Sequence, residues 1–243
     1  MKAFILAAGL GTRLRPWTLT HPKALVRVGG VPMLQRVIER LRAEGFTDII
    51  INVHHFASQV EEFLAARDFG VNISISDERA MLLDTGGALL HARRLICGAP
   101  GPVLVHNVDI LSDAPLRSLM QGHIATGAAA TLLTSPRRSS RQLIFSGERL
   151  CGWHNLSTGV YKPGGFRPAP GMAGEAFSGI HVISPELIER MPEMGFTGRF
   201  SIIDFYLAAA RNKIIRRESA PHLQLIDIGK PETLALARQL FQR

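Results

Sequence analysis

Two hydrophobic periods alternate along this chain. Residues 3–6 form an unbroken apolar run, the pattern of a buried strand. Pro32 is placed to open a helix over 33–44, with Leu34, Val37, Ile38 and Leu41 at helical spacing and Gly45 as its stop. A β-branched run over 48–53 predicts a second strand. Residues 57–66 predict a helix with Val60, Phe63 and Leu64 inward, and 71–76 a third strand. A helix over 86–95 and a buried strand over 103–108 follow. Strand–helix alternation of this kind predicts an α/β chain with a Rossmann-like, mostly parallel, doubly wound sheet. Ligands of such sheets bind beyond the carboxyl ends of the strands.

From Ala128 the texture changes. Short strands are expected over 128–134, 142–145 and 150–153, joined by polar turns. The Gly- and Pro-rich stretch 159–174 reads as a loop, 177–182 as a strand, and 185–191 and 202–211 as helices. Residues 213–217 read as extended and 223–228 as a last strand, with a closing helix after Pro231. No internal repeat is present. The chain thus reads as a single domain over 1–243, with halves meeting near residue 127.

Composition narrows the function classes. A hydrophobic fraction of 46% over 243 residues supplies a proper core. No apolar run approaches the roughly 20 residues of a membrane span, and the first residues run straight into a core strand, unlike a signal peptide. A cytoplasmic protein without membrane contact is expected. Cys97 and Cys151 cannot build a disulfide framework and lack metal-like neighbours, so they read as inert thiols. The net charge of +8 comes from scattered basic residues, which argues against nucleic acid as partner. The densest group, Arg137, Arg138 and Arg141, reads as a solvated loop. The positive field would still draw in small polyanions.

The chemistry concentrates at the first strand's end. Ala7-Ala8-Gly9-Leu10-Gly11-Thr12 is a small-residue turn, followed by Arg13, Arg15 and Lys23. Small residues let the backbone approach a ligand, exposed N–H groups bind phosphate oxygens, and the cations complete an anion site. No Gly-Lys-Ser/Thr follows, so this is not a P-loop. Leu14 stands where a dinucleotide fingerprint needs its third glycine. Two aspartates, Asp109 and Asp227, sit where apolar strand gives way to loop. Each alone reads first as a cap or turn former, and second as a carboxylate for Mg²⁺, which takes one or two such groups plus substrate phosphates. Adjacent His54 and His55 point to opposite strand faces, so they do not ligate together.

Leu6 to Leu14 together with Pro22-Lys23-Ala24-Leu25 resembles the signature of the sugar-1-phosphate nucleotidyltransferases. Asp227-Ile-Gly-Lys-Pro-Glu resembles that family's late Asp-x-Gly-x-Pro-Glu. The resemblance implies a glycosyltransferase-A-like nucleotidyltransferase fold, with a nucleotide-binding half over about 1–127 and a sugar-binding, metal-completing half over about 128–243. It implies Arg13, Lys23 and Asp109 as catalytic residues. Leu6, Ala7, Ala8, Gly9, Gly11, Thr12, Arg13, Lys23, Thr85, Gly86 and Gly87 would bind the nucleotide, the last three around its base. Asn107, Asn155, Lys162, Ser178 and Gly179 would meet the sugar phosphate, and Asp109 and Asp227 would hold Mg²⁺. The family's usual Gly-Asp is Val108-Asp109 here, which crowds the sugar side. The short form with Asp84-Thr85-Gly86-Gly87 most resembles the N-acetylmuramate-1-phosphate uridylyltransferases. Mannose- and glucose-1-phosphate enzymes using GTP or dTTP and non-catalytic regulatory relatives are the alternatives. A monomer or small homo-oligomer acting on an NTP and a sugar 1-phosphate is expected.

Overall fold

The computed structural model describes residues 1–240. The chain runs β1 (Lys2–Leu6), β2 (Arg27–Val28), β3 (Val31–Pro32), α1 (Met33–Ala43), β4 (Asp48–Val53), α2 (Ala57–Ala65) and β5 (Asn72–Asp77). It continues through α3 (Asp84–His91), α4 (Arg93–Cys97), β6 (Val103–Asn107), β7 (Ile110–Ser112), α5 (Leu116–Thr126), β8 (Ala130–Ser135), β9 (Arg141–Ser146) and β10 (Arg149–Asn155). The last elements are β11 (Val160–Lys162), β12 (Ala173–Ile183), α6 (Pro185–Glu189), α7 (Ile202–Ala209), β13 (Ile215–Ser219), β14 (Leu225–Asp227) and α8 (Pro231–Leu240).

One sheet of the described residues carries the order β11-β10-β13-β8-β12-β6-β1-β4-β5, with β9 pairing β10 and β12. Its β6-β1-β4-β5 part is parallel, as the strand–helix alternation predicts. Beyond β6 it is mixed: β12 runs antiparallel to β6 and β8, while β13 is parallel to β8. The apolar run of β1 is continuous because both faces are covered. Ala3 and Ile5 pack into one cluster with α1, α2 and α5, and Phe4 into the other with α3, α6 and α7. Burying a side chain such as Phe4 contributes about 1.5–3 kcal/mol. A third cluster joins Leu14, Val26, Val28 and Met33 to Ile228 and Ala237. It ties the segment after β1 to the C-terminal helix.

Several elements differ from the sequence reading. α5 was not anticipated, although Leu116, Leu119, Met120 and His123 are buried at helical spacing. The helix expected over 86–95 is two, α3 and α4, meeting at Ala92. The Gly/Pro stretch 159–174 contains β11, because its Tyr161 and Lys162 pair with β10. Arg137 is not solvated: it turns inward and donates from Nη2 to the Phe177 carbonyl at 2.9 Å.

Candidate active site

The turn after β1 is held from below. Asn52 on β4 accepts from the Ala7 N–H at 2.6 Å and the Ala8 N–H at 3.3 Å. Its amide in turn donates to Glu78 Oε1 at 2.8 Å. Both side chains are buried. Burial pushes the Glu78 carboxyl up from its ordinary value, and the Asn52 hydrogen bond pulls the other way. Gly9 has open space where a Cβ would stand. Gly11 does not: its φ is +61°, and a Cβ would lie 2.9 Å from Thr18 Cγ2 and 3.0 Å from Lys23 Cβ. Thr18 Oγ1 closes the turn on the Gly11 carbonyl at 2.8 Å. Thr12 and Arg13 follow on a 3₁₀ turn whose Leu14 is buried in the third cluster, leaving Arg13 exposed.

Carboxylates and cations converge beside this turn. Lys23 forms an ion pair with Asp109 Oδ2. β14 pairs antiparallel with β7, so Asp227 lies opposite Ile110, and the Ile228 N–H reaches the Asp109 carbonyl at 2.9 Å. Gly229 leaves room for the group. A Cβ there would lie 2.8 Å from an Arg13 nitrogen, 2.8 Å from Asp227 Oδ1 and 3.1 Å from Lys23 Nζ. Asp109, Asp227, Lys23 and Arg13 thus meet around one backbone segment. Two carboxylates on adjacent strand ends fit Mg²⁺, a hard cation that takes its remaining oxygens from phosphates and water. No cluster of three His, Cys, Asp or Glu side chains suited to a metal exists among the described residues.

Two cavities open from this point. One of about 300 Å³ is lined by Ala8, Gly9, Lys23, Thr85, Asn107 and Asp109, and by Asn52 and Glu78. The other, of about 480 Å³, is lined by Arg141, Trp153, Asn155, Lys162, Asp204 and Asp227. A further cavity of about 510 Å³ lies between α1, β7 and β14, lined by Val37, Arg40, His106 and Ile226. It contains none of the candidate site residues named from sequence.

The other sequence-derived residues fall as follows. Leu6 and Val108 border the smaller cavity, and Val108 is buried with its N–H on the Leu6 carbonyl at 3.1 Å. Thr85 lines that cavity while its hydroxyl accepts from the Ile202 N–H at 3.0 Å. Gly86 and Gly87 are buried against the 198–200 segment. A Cβ at Gly86 would lie 2.3 Å from the Phe200 ring, and one at Gly87 2.2 Å from the Gly198 carbonyl oxygen. Gly179, at φ +78°, abuts Asn107, whose amide nitrogen would be 2.7 Å from a Cβ. Ser178 is buried, and its hydroxyl engages the Ile180 backbone. Lys162 is paired with Asp204 at 2.7 Å and stands 5.3 Å from the Trp153 ring centroid. Asn52, Glu78, Arg137 and Asp204 escaped the sequence reading. Ser201 caps α7, its hydroxyl accepting from the Ile203 N–H at 3.3 Å.

Residues 2–143 match the nucleotidyl transferase family. The chain is 33% identical over 210 residues to the N-acetylmuramate alpha-1-phosphate uridylyltransferase of Caulobacter vibrioides, covering 84% of this chain and 82% of that protein. It is 40% identical over 137 residues to the mannose-1-phosphate guanyltransferase of Gibberella zeae, covering 56% of this chain and 37% of that one. Among solved structures, a putative glucose-1-phosphate thymidylyltransferase from Bacillus anthracis superposes with a TM-score of 0.80 at 19% identity, over 100% of this chain and 95% of that one. The inositol-1-phosphate CTP transferase of T. maritima gives 0.75 at 15% identity, over 99% and 94%. The shared fold is that of the sugar nucleotidyltransferases. The chain belongs to the nucleotidyl transferase family and is a nucleotidyltransferase enzyme of the NDP-sugar pyrophosphorylase kind. No helix of the described residues is long and apolar enough to cross a membrane.

Proposed function

We propose that the protein transfers the uridylyl group of UTP to N-acetylmuramate 1-phosphate, releasing pyrophosphate. The observation that carries this reading is the match to the Caulobacter uridylyltransferase over most of both chains. The guanyltransferase of Gibberella zeae is matched over only 37% of its length. A GTP- and mannose-1-phosphate-dependent reaction is the second reading, favoured by the higher identity of 40% in that shorter match.

In this reading the nucleotide phosphates lie on the turn after β1, against the backbone of Ala8, Gly9, Gly11 and Thr12. Arg13 neutralises the β- and γ-phosphates. Lys23 leaves Asp109 to hold the α-phosphate or the incoming sugar phosphate. Asn107, Asn155 and Lys162 orient the sugar phosphate, whose oxygen attacks the α-phosphorus in line with the leaving pyrophosphate. The nucleophile is already an anion, so no covalent enzyme intermediate is needed. Catalysis is then positioning and charge neutralisation. Mg²⁺ held by Asp109 and Asp227, when bound, supplies charge neutralisation at the phosphates. The glycines of α3 act here by letting the 198–200 segment close on the helix, while Thr85 borders the base.

The test is pyrophosphate release with Mg²⁺ over a matrix of UTP, dTTP, CTP and GTP against N-acetylmuramate, N-acetylglucosamine, glucose and mannose 1-phosphates. Turnover confined to UTP with the muramate phosphate is expected. Another active pair replaces the substrates and keeps the reaction.

A further inference from the structure

We propose that Arg141 reads an anionic substituent on the sugar, so that the second substrate is an acidic sugar 1-phosphate. The inference rests on the reading of the 480 Å³ cavity as the sugar site. Arg141 lines that cavity together with Lys162, Asp204 and Asp227. The charges there are unevenly matched. Lys162 is neutralised by Asp204 at 2.7 Å. Asp227 faces the cluster of Arg13 and Lys23 around Gly229. Among the described residues the guanidinium of Arg141 has no hydrogen-bond or ion-pair partner; only its backbone N–H is engaged, by Ser139 Oγ at 3.2 Å. The two arginines of β13 are paired by contrast, Arg217 with Glu175 and Arg216 with Glu148, each at 2.8 Å.

The segment carrying Arg141 is fixed in place. Arg137 ties it to the Phe177 carbonyl at 2.9 Å, and the Leu156 N–H reaches the Ser140 carbonyl at 2.8 Å. Strand register sets Arg141 beside Asn155, and the next row on the same face carries Leu143, Trp153 and Lys162. Side chains opposite each other in a ladder share a face. That face therefore offers an apolar ring and an aliphatic side chain, edged by one amide and one uncompensated guanidinium. A sugar ring can lie on the apolar row while a carboxylate takes the guanidinium fork in paired, charge-assisted hydrogen bonds. In the proposed reading the 1-phosphate has its own counter-charge in Lys23, so it does not require Arg141.

The test uses the full chain with UTP and Mg²⁺. It compares N-acetylmuramate 1-phosphate with N-acetylglucosamine 1-phosphate, which has the same ring and no carboxylate. Wild type is expected to prefer the acidic sugar. Arg141→Gln should raise its KM about 10- to 100-fold, the range of a hydrogen bond to a charged group, with kcat little changed. The acidic-to-neutral ratio of kcat/KM falls by that factor, and Arg141→Lys recovers part of it. An equal loss on both sugars would show a contact to phosphate or nucleotide and overturn the proposal. Wild-type preference for the neutral sugar also overturns it and leaves the sugar-1-phosphate reading standing. No turnover of any pair removes both. Arg141 is exposed, so its variants fold, and circular dichroism checks this.

Discussion

Removing Asn52 tests whether the turn after β1, proposed to carry the nucleotide phosphates, is preorganised from beneath. In Asn52→Ala the Ala7 and Ala8 N–H groups, at 2.6 and 3.3 Å from Oδ1, lose their acceptor. Both residues are buried, 5% and 6% exposed, so water does not replace it freely. A buried donor left unsatisfied costs about 1–3 kcal/mol. The longer bond belongs at the low end, which gives a loss of about 2–4 kcal/mol for the pair. At about 2–4 °C per kcal/mol for a chain of this size, the midpoint falls by roughly 4–16 °C. Asn52→Asp separates the two halves of the device. It keeps the acceptor for Ala7 and Ala8 but places a second carboxyl against Glu78, which Asn52 now meets at 2.8 Å. Like charges raise one folded-state pKa of that pair. Stability in Asn52→Asp is therefore present at low pH and lost as pH rises through the raised value. Urea denaturation at pH 5 and pH 8 reads both effects, and initial rates read the KM for nucleotide. A change below about 0.5 kcal/mol in Asn52→Ala, within the ordinary range of surface substitutions, with an unchanged nucleotide KM would refute the argument.

Three further outcomes are expected. Asp109→Asn should keep its thermal midpoint within a few degrees and lose more than the ~10–100-fold in activity typical of an outer-shell metal partner; near-normal turnover would remove the metal role. Gly87→Ala should lower the midpoint more than Gly86→Ala, because its Cβ meets the Gly198 carbonyl at 2.2 Å rather than the Phe200 ring at 2.3 Å, and overpacking typically costs about 1–3 kcal/mol. Differential scanning fluorimetry on the two purified variants decides the order. Burial lowers the His181 imidazole from 6.5 to about 3. Its contribution to stability is complete above pH 6.5 and lost as pH falls toward 3, at about 1.4 kcal/mol per pH unit. His181→Phe should lessen the urea-measured loss between pH 6.5 and 4 by its own share, leaving that of His106 and His123, which burial lowers to about 4, and an unchanged slope would place the proton elsewhere.

The parts of the site that were legible in sequence are those where consecutive residues do the work. A tight small-residue turn writes its constraint locally, as Ala7-Ala8-Gly9 and the left-handed Gly11, and the cations Arg13, Arg15 and Lys23 follow within one segment. Asn52 and Glu78 carry no such mark. Asn52 sits in the β-branched run of β4 and Glu78 just past β5, and only parallel pairing of β1, β4 and β5 brings them under the turn. The second cavity, proposed as the sugar side, was hidden by distance along the chain. Lys162 finds Asp204 42 residues later, and β12 shifts register between Phe177 and His181 on its way past β8. Arg137 looked like part of a charged loop because nothing local says that the Phe177 carbonyl needs a donor.

The ends of the chain are joined by the same logic. Leu14, three residues past Gly11, and Val26, three past Lys23, pack on Ile228, one residue past Asp227. An apolar side chain next to each polar group thus fixes where that group stands, since buried aliphatic contacts tolerate little displacement in a close-packed interior. Leu14 at the third position of the would-be glycine fingerprint is part of this cluster. The residue that breaks the dinucleotide fingerprint is the one that anchors Arg13 beside Asp227 and Gly229. Ala237 of α8 closes the same cluster. Loosening α8 is therefore a way to move the Asp227 carboxylate relative to the turn after β1 without touching either.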